Sequence, residues 1–232
     1  MSAPLDVGVI DTAVDLLATG GWVQGTLETG EGAHCAHGAV LATVCTPGDA
    51  HLWRSVMRHT GLTERWNDTP GRTATEVSER LATLRDVTAD DMIEVFGPNW
   101  IAVRDLVRRA AKLTEDEAAA LAEATDTAAT VDARDVANWA ASDVANWAAL
   151  NAANWTASHA AYSAAWGAAW GAHGDVAGDA SSAVPDAARA VAVRDRMLST
   201  PEGARHYAML TGPWASVIGP AHPDDTPGVS DG

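Results

Sequence analysis

Cys35 follows the turn-forming run Thr29-Gly30-Glu31-Gly32 and stands where a helix is expected to open, a position whose dipole favours a thiolate. Gln24 lies upstream and carries an amide that could donate to an oxyanion, so Cys35 and Gln24 are the candidates for nucleophilic chemistry. The competing reading is a buried structural cysteine, because Cys35-Ala36-x-Gly38-Ala39 also describes small residues in tight helix packing, and that reading is the expectation. His34, Cys35, His37 and Cys45 contain the donor atoms zinc prefers, yet an expected helix separates the two cysteines and the spacing is no recognised knuckle. Surface histidines beside a buried thiol are expected, with no metal and no cofactor.

A second constellation is polar. Asn67-Asp68 followed by Gly71-Arg72-Thr73 could hold a small anion at a helix N-terminus, with Asn67, Asp68 and Arg72 as binding residues. The simpler reading is a loop whose side chains satisfy backbone donors while Thr73 caps the next helix. Arg104, Arg108, Arg109 and Lys112 form a basic strip whose expected partner is an internal carboxylate cluster such as Glu115-Asp116-Glu117. Ala221-His222-Pro223-Asp224-Asp225 resembles the metal-binding signature of zinc-dependent N-deacetylases. The motif lies within a dozen residues of the chain's end, without the sheet and downstream histidines such enzymes use, so no zinc chemistry is expected of it.

The elements that must position these residues are mostly helices. Val7, Ile10, Val14 and Leu17 make one apolar face that Gly20 and Gly21 can close. Trp22 to Glu28 reads as extended, and the turn after it predicts a short β-hairpin. A helix is expected from Cys35 to before Pro47-Gly48, and another capped by Asp49 and closed by Gly61. Capping boxes stand at Thr73-x-x-Glu76, Thr88-x-x-Asp91 and Thr114-x-x-Glu117, and Asn99 is a further candidate cap. After a Gly/Ser/Pro link through Pro185, Ala187 to Leu198 predicts a helix, and Thr200-Pro201 opens a short one ending near Gly212.

Between Ala137 and Ala172 the pattern changes to an Ala-Ala-x-x tetrad, overlaid with Asn138-Trp139, Asn146-Trp147 and Asn154-Trp155 before Tyr162, Trp166 and Trp170 take over. Four residues turn a helix by about 400°, so the stripe drifts about 40° per tetrad and one straight partner cannot cover it. Breakage into shorter helices is expected, because Gly167, Gly171, Gly174 and Gly178 weaken the far end. The repeat is read as a packing device; the alternative is a binding surface displaying Trp139, Trp147 and Trp155.

Composition narrows the function classes. The chain has 31 acidic against 15 basic residues and a net charge of −16, which opposes phosphate backbones and anionic lipid, so neither nucleic acid nor membrane is an expected partner. Val144 to Gly174 carries no charged side chain, but Asn146, Asn151, Asn154, Ser158 and His159 interrupt it too often for a membrane span. Met1 to Asp6 shows no secretory pattern, and with only two cysteines a cytoplasmic location is expected, the host cytoplasm if the chain is phage-encoded. The Ala/Arg/Asp/Gly bias is that of a GC-rich genome.

Gly21-Trp22-x-Gln24-Gly25, Cys35-Ala36-x-Gly38-Ala39 and Trp66-Asn67-Asp68-x-x-Gly71-Arg72-Thr73-x-x-Glu76-Val77 together resemble a family of small actinobacterial and actinophage proteins, a domain of unknown function, over roughly residues 1–86. The later part is similar to Ala-Ala-Trp-rich sequences from the same organisms that end in Thr-Gly-Pro-Trp and His-Pro-Asp-Asp, here Thr211 to Trp214 and His222 to Asp225. Neither resemblance implies an activity or a partner histidine for Cys35, and His37 stands where the first implies an apolar residue.

The expected fold is all-α or nearly so: a small α-rich domain with a hairpin over 1–87, a helical domain over 88–220 containing the repeat at 137–172, and a mobile tail over 221–232. The expected function is a non-enzymatic protein-interaction or structural accessory role, with another protein or a second copy as partner. The alternatives are a small cysteine-dependent enzyme using Cys35 and an acidic DNA-mimic inhibitor.

Overall fold

A computed structural model of the chain describes residues 5–44, 47–128, 152–173 and 183–225. Among these residues twelve α-helices form and no strand does. The chain divides into two compact units, Met1–Met92 and Ile93–Gly232.

In the first unit α1 (Gly8–Gly20) packs on α2 (Ala36–Thr43) and α5 (Ala74–Ala82). Its apolar stripe supplies Ile10, Ala13 and Leu17, which are buried with Val40, Leu52, Val56, Val77 and Leu81. Helix α3 (Pro47–His59) carries Trp53 into the core, and α4 (Glu64–Asn67) is a single turn capped by Thr63, whose hydroxyl accepts from the Trp66 amide. The box at Thr73 forms as read, with Glu76 accepting from the Thr73 amide at 2.8 Å. So does the box at Thr88, with Asp91 accepting at 2.7 Å and opening α6 (Ala89–Phe96). Each satisfies amides that a helix start otherwise leaves bare.

In the second unit α7 (Trp100–Ala110) buries Val103, Leu106 and Val107. Helix α8 (Glu115–Ala128) opens on the Thr114 box, in which Glu117 accepts from the Thr114 amide at 2.8 Å. Helix α9 (Ala152–His173) packs along α10 (Ala183–Ala192), with α11 (Arg194–Met197) and α12 (Pro201–Val217) following. Buried on α9 are Ala157, Ala161, Ala164, Ala165, Ala168 and Ala169, and on α10 Ala183, Val184, Ala187, Ala188 and Val191; besides each other, α9 packs on α7 and α10 on α7 and α12. The buried set on α9 runs 157/158, 161, 164/165 and 168/169, alternating steps of three and four. Such three-residue steps bring a period-four stripe back toward a fixed partner.

Several expectations are corrected. The hairpin is replaced by two one-residue bridges, His34 to Trp22 and His34 to Glu28, although the Thr29–Gly32 turn forms. No ladder grows because Gly25, at φ 76, bends the extended run and donates its amide to Asp68 instead of to a strand. Helix α9 runs unbroken through Gly167 and Gly171, while Ala137 to Asn151 and Gly174 to Gly178 lie outside the described residues. Asn99 makes no cap bond. Pro185 sits inside the first turn of α10, which then breaks from α11 at Val193. Helix α12 continues through Gly212-Pro213 to Val217, because fully buried Trp214 anchors its last turns in the core. Among the described residues, no helix is long and apolar enough to cross a membrane.

Candidate functional site

The three motifs of the first unit converge on Asn67. It ends α4 and is fully buried, and its carboxamide uses every donor and acceptor it has. Oδ1 accepts from the Trp22 indole at 2.9 Å and from the Ala36 amide at 3.3 Å. Nδ2 donates to Val23 O at 3.4 Å and to Asp68 Oδ1 at 2.8 Å. Asp68 Oδ1 also accepts from the Gly25 amide at 2.9 Å. Gln24 completes the knot, its Nε2 donating to the carbonyls of Asn67 at 2.9 Å and Thr69 at 3.1 Å. Both hydrogens that could have faced an oxyanion are thereby engaged by backbone.

Cys35 is the N-cap of α2, 5 % exposed, and its Sγ accepts from the Gly38 amide at 3.3 Å. Burial pushes the thiol above its ordinary range, outweighing the amides of Gly38 and His37 that favour the thiolate. The helix-start effect read from sequence is therefore the smaller one. Gly38 explains the rest of its motif: a Cβ there would lie 1.8 Å from the carbonyl oxygen of Leu27, to which Cys35 donates its own amide at 3.1 Å. The backbone of residue 27 rests directly on α2, which only glycine permits.

The histidines are not at the surface. His34 is 6 % exposed and His37 1 %, and neither ring nitrogen of His37 has a hydrogen-bond partner. Burial drives the His37 imidazole down to about 4, with Glu64 pulling the other way. Cys45 lies outside the described residues, and among those described no group of three or more His, Cys, Asp or Glu side chains is placed to hold a metal ion.

Glu64 anchors an ionic cluster that sequence reading missed. Its Oε1 accepts from Arg54 at 2.8 Å and from Arg58 at 3.0 Å. Burial would raise its carboxyl, but the two guanidinium bonds prevail and hold it at about 2. The four-residue spacing of Arg54 and Arg58 on α3 was the available signal, since it sets both cations on one face.

At the alternative anion pocket of Asn67, Asp68 and Arg72 the polar groups are engaged by the chain itself, as in the simpler reading of a loop ahead of the Thr73 cap. Arg72 lies over the Trp66 ring, its guanidinium carbon 4.1 Å from the centroid, and pairs with Glu76 at 3.5 Å. Glu76 in turn holds the Thr73 amide and hydroxyl, at 2.8 and 3.1 Å. Of the tryptophans singled out for display, Trp139 and Trp147 lie outside the described residues, and for Trp155 the helical backbone alone is described. Trp166, later in the same series, is 42 % exposed on α9.

Two members of the basic strip have partners outside the Glu115–Glu117 turn. Arg109 donates to the carbonyls of Pro220 at 3.0 Å and Ala221 at 3.4 Å, and Arg104 pairs with its neighbour Asp105 at 3.2 Å. The string that resembles a zinc signature closes on itself: the His222 amide donates to Asp225 Oδ2 at 3.1 Å, and the Asp224 amide to His222 Nδ1 at 3.1 Å.

A family model described as a family of unknown function (DUF6197) matches residues 1–89, the stretch in which the Asn67 knot lies. No curated protein and no solved structure matches the chain.

Proposed function

We propose that the chain is a non-enzymatic accessory protein of an actinobacterium or its phage, acting by binding another protein or a second copy of itself. The observation that carries this reading is the internal saturation of the motif residues. Asn67 has no bonding capacity left, the Gln24 amide hydrogens rest on two carbonyls, and the Cys35 thiol is buried and held protonated. Bond-forming power turned wholly inward suits a scaffold, whereas a nucleophile needs a low thiol pKa and access. The tetrad repeat supplies the candidate contact surface, with Trp166 as its described exposed aromatic; aromatic side chains are the commonest anchors of protein interfaces.

Cross-linking in the native host with Trp166→Ser beside wild type tests the reading. The expected result is one partner, this chain or another, that survives high salt and is lost in the variant. Retention of that partner by the variant moves the contact away from α9. A Cys35→Ser protein that keeps its melting temperature but loses the host phenotype overturns the non-enzymatic reading in favour of chemistry at Cys35.

A further inference from the structure

The last described residues lie across the second unit as a strap. Helix α12 ends at Val217, Gly219 turns the chain at φ 106, and Pro220 to Asp225 follows. Two points pin it. Near its start Ala221 is 1 % exposed, and Arg109 holds the carbonyls of residues 220 and 221 while lying 5.2 Å from the centroid of the Trp214 ring. At its end the Asp225 carboxylate accepts from Arg194 Nε at 3.0 Å on one oxygen and from the Tyr207 hydroxyl at 2.6 Å on the other. Arg194 and Asp225 are largely withdrawn from water, with side chains 13 % and 21 % exposed. Between the pins Pro223 and Asp224 are exposed.

Three features suit a receptor and its ligand better than a piece of core. The strap offers one buried apolar side chain, Ala221, and is held chiefly by carbonyls and a carboxylate, the groups a peptide in trans would also present. Its hinge is a positive-φ glycine, which lets it swing without unwinding α12. The fit is also incomplete: the indole Nε1 of Trp214, fully buried beside Arg109, has no acceptor with the strap in place. A buried donor left unmet is a standing cost that a better ligand would remove.

We propose that Arg109, Arg194, Tyr207 and Trp214 form a binding site for an acidic peptide segment, which the chain's own Pro220–Asp225 occupies as a releasable, autoinhibitory strap. The chemistry defines the ligand: a short extended segment with a small residue near its start and a carboxylate some four residues later. Arg109 reads the backbone, and Arg194 with Tyr207 reads the carboxylate through charge-assisted bonds.

Two measurements on the full chain decide it. In wild type, hydrogen exchange should show the bonded amides of His222, Asp224 and Asp225 opening together at least ~100-fold faster than amides in the middle of α12, as a locally opening unit would. Exchange no faster than that of the α12 interior means that the strap opens only when the unit unfolds, and the proposal falls. In the second, a fluorescent peptide of sequence Ile-Gly-Pro-Ala-His-Pro-Asp-Asp, copying residues 218–225, is titrated into wild type and Asp225→Ala. The variant should bind it at least ~10-fold more tightly, since its own strap no longer competes, and a peptide ending in Asn should bind neither. Equal affinity of the two proteins for the peptide, with both folded by circular dichroism, overturns the proposal. If Asp225→Ala does not fold, the wild-type exchange measurement alone decides between the two outcomes.

Discussion

Replacing His37 by leucine should remove most of the acid sensitivity of the first unit between pH 7 and 4.5. An unfolded histidine takes its proton near 6.5, whereas burial holds the folded imidazole neutral down to about 4. The folded value is the lower one, so the unfolded chain binds the proton first. Stability is therefore complete above pH 6.5 and drains away as pH falls toward 4. At about 1.4 kcal/mol per pH unit, the gap is worth roughly 3 kcal/mol. Little discount for solvent applies, because the residue is 1 % exposed. At neutral pH the two partnerless ring nitrogens already carry a desolvation cost of order 1–3 kcal/mol that leucine lacks, against which its different shape costs up to about 1.5 kcal/mol. The variant should thus be at least as stable as wild type at pH 7 and clearly more stable at pH 5. Because the chain has two units, the assay is hydrogen exchange at the α2 amides from pH 7 to 4.5, corrected for the intrinsic pH dependence, rather than one global melting curve. A wild-type unit that loses less than about 1 kcal/mol over that range, or a leucine variant that loses as much as wild type, would refute the buried neutral imidazole.

The remaining predictions concern the knot and the ionic cluster. Asn67→Ala removes four side-chain bonds and strands the buried Ala36 amide, so the first unit should lose about 3 kcal/mol, read as exchange at α4 and α5; a loss under 1 kcal/mol would show that the knot is incidental. Gly38→Ala drives a methyl into the Leu27 carbonyl and should cost more than about 3 kcal/mol or prevent soluble expression, whereas an alanine at Gly30, where nothing lies within 4 Å, should change stability by less than about 1 kcal/mol. Cys35 in the native chain should react with iodoacetamide more slowly than a free thiol at pH 8, and reach the free rate in urea. Glu64→Gln should leave stability at pH 7 lowered yet flatten the further loss between about pH 4.5 and 2, the window in which the depressed carboxyl is protonated in wild type.

What the sequence made legible was local. The boxes at Thr73, Thr88 and Thr114 form because both members lie within one helical turn, where no distant contact can override them. The tight packing at Cys35 to Ala39 was legible for a similar reason, since glycine and alanine at that spacing allow close approach whatever approaches. The burial of His37 was hidden because residues 35–40 are buried without interruption, so α2 shows no polar face to betray which side meets water. Asn67 was visible as a residue but not as a hub, for its partners Trp22 and Val23 lie more than forty positions away in the chain. The hairpin failed where Gly25 gave its amide to a residue equally remote. Pro213 misled in the usual direction: a missing donor ends a helix only when tertiary packing does not hold the next turn, and Trp214 does hold it.

The alanine seam between α9 and α10 has one more implication. Alanine has no rotamers to freeze, so the joint forms without side-chain entropy cost, but methyl groups repeated every four residues are interchangeable teeth. Sliding α9 by one tetrad, about 6 Å with a turn of about 40°, would set alanine where alanine stood along positions 157, 161, 165 and 169. The seam therefore fixes distance and leaves phase to be set by something else. Gly97 is placed to do so: a side chain there would meet the Ala192 carbonyl at 2.9 Å and the Ala157 methyl at 3.4 Å, so the loop after α6 wedges against both helices at one point. It acts as the pawl on a ratchet whose teeth on the α9 side are otherwise identical.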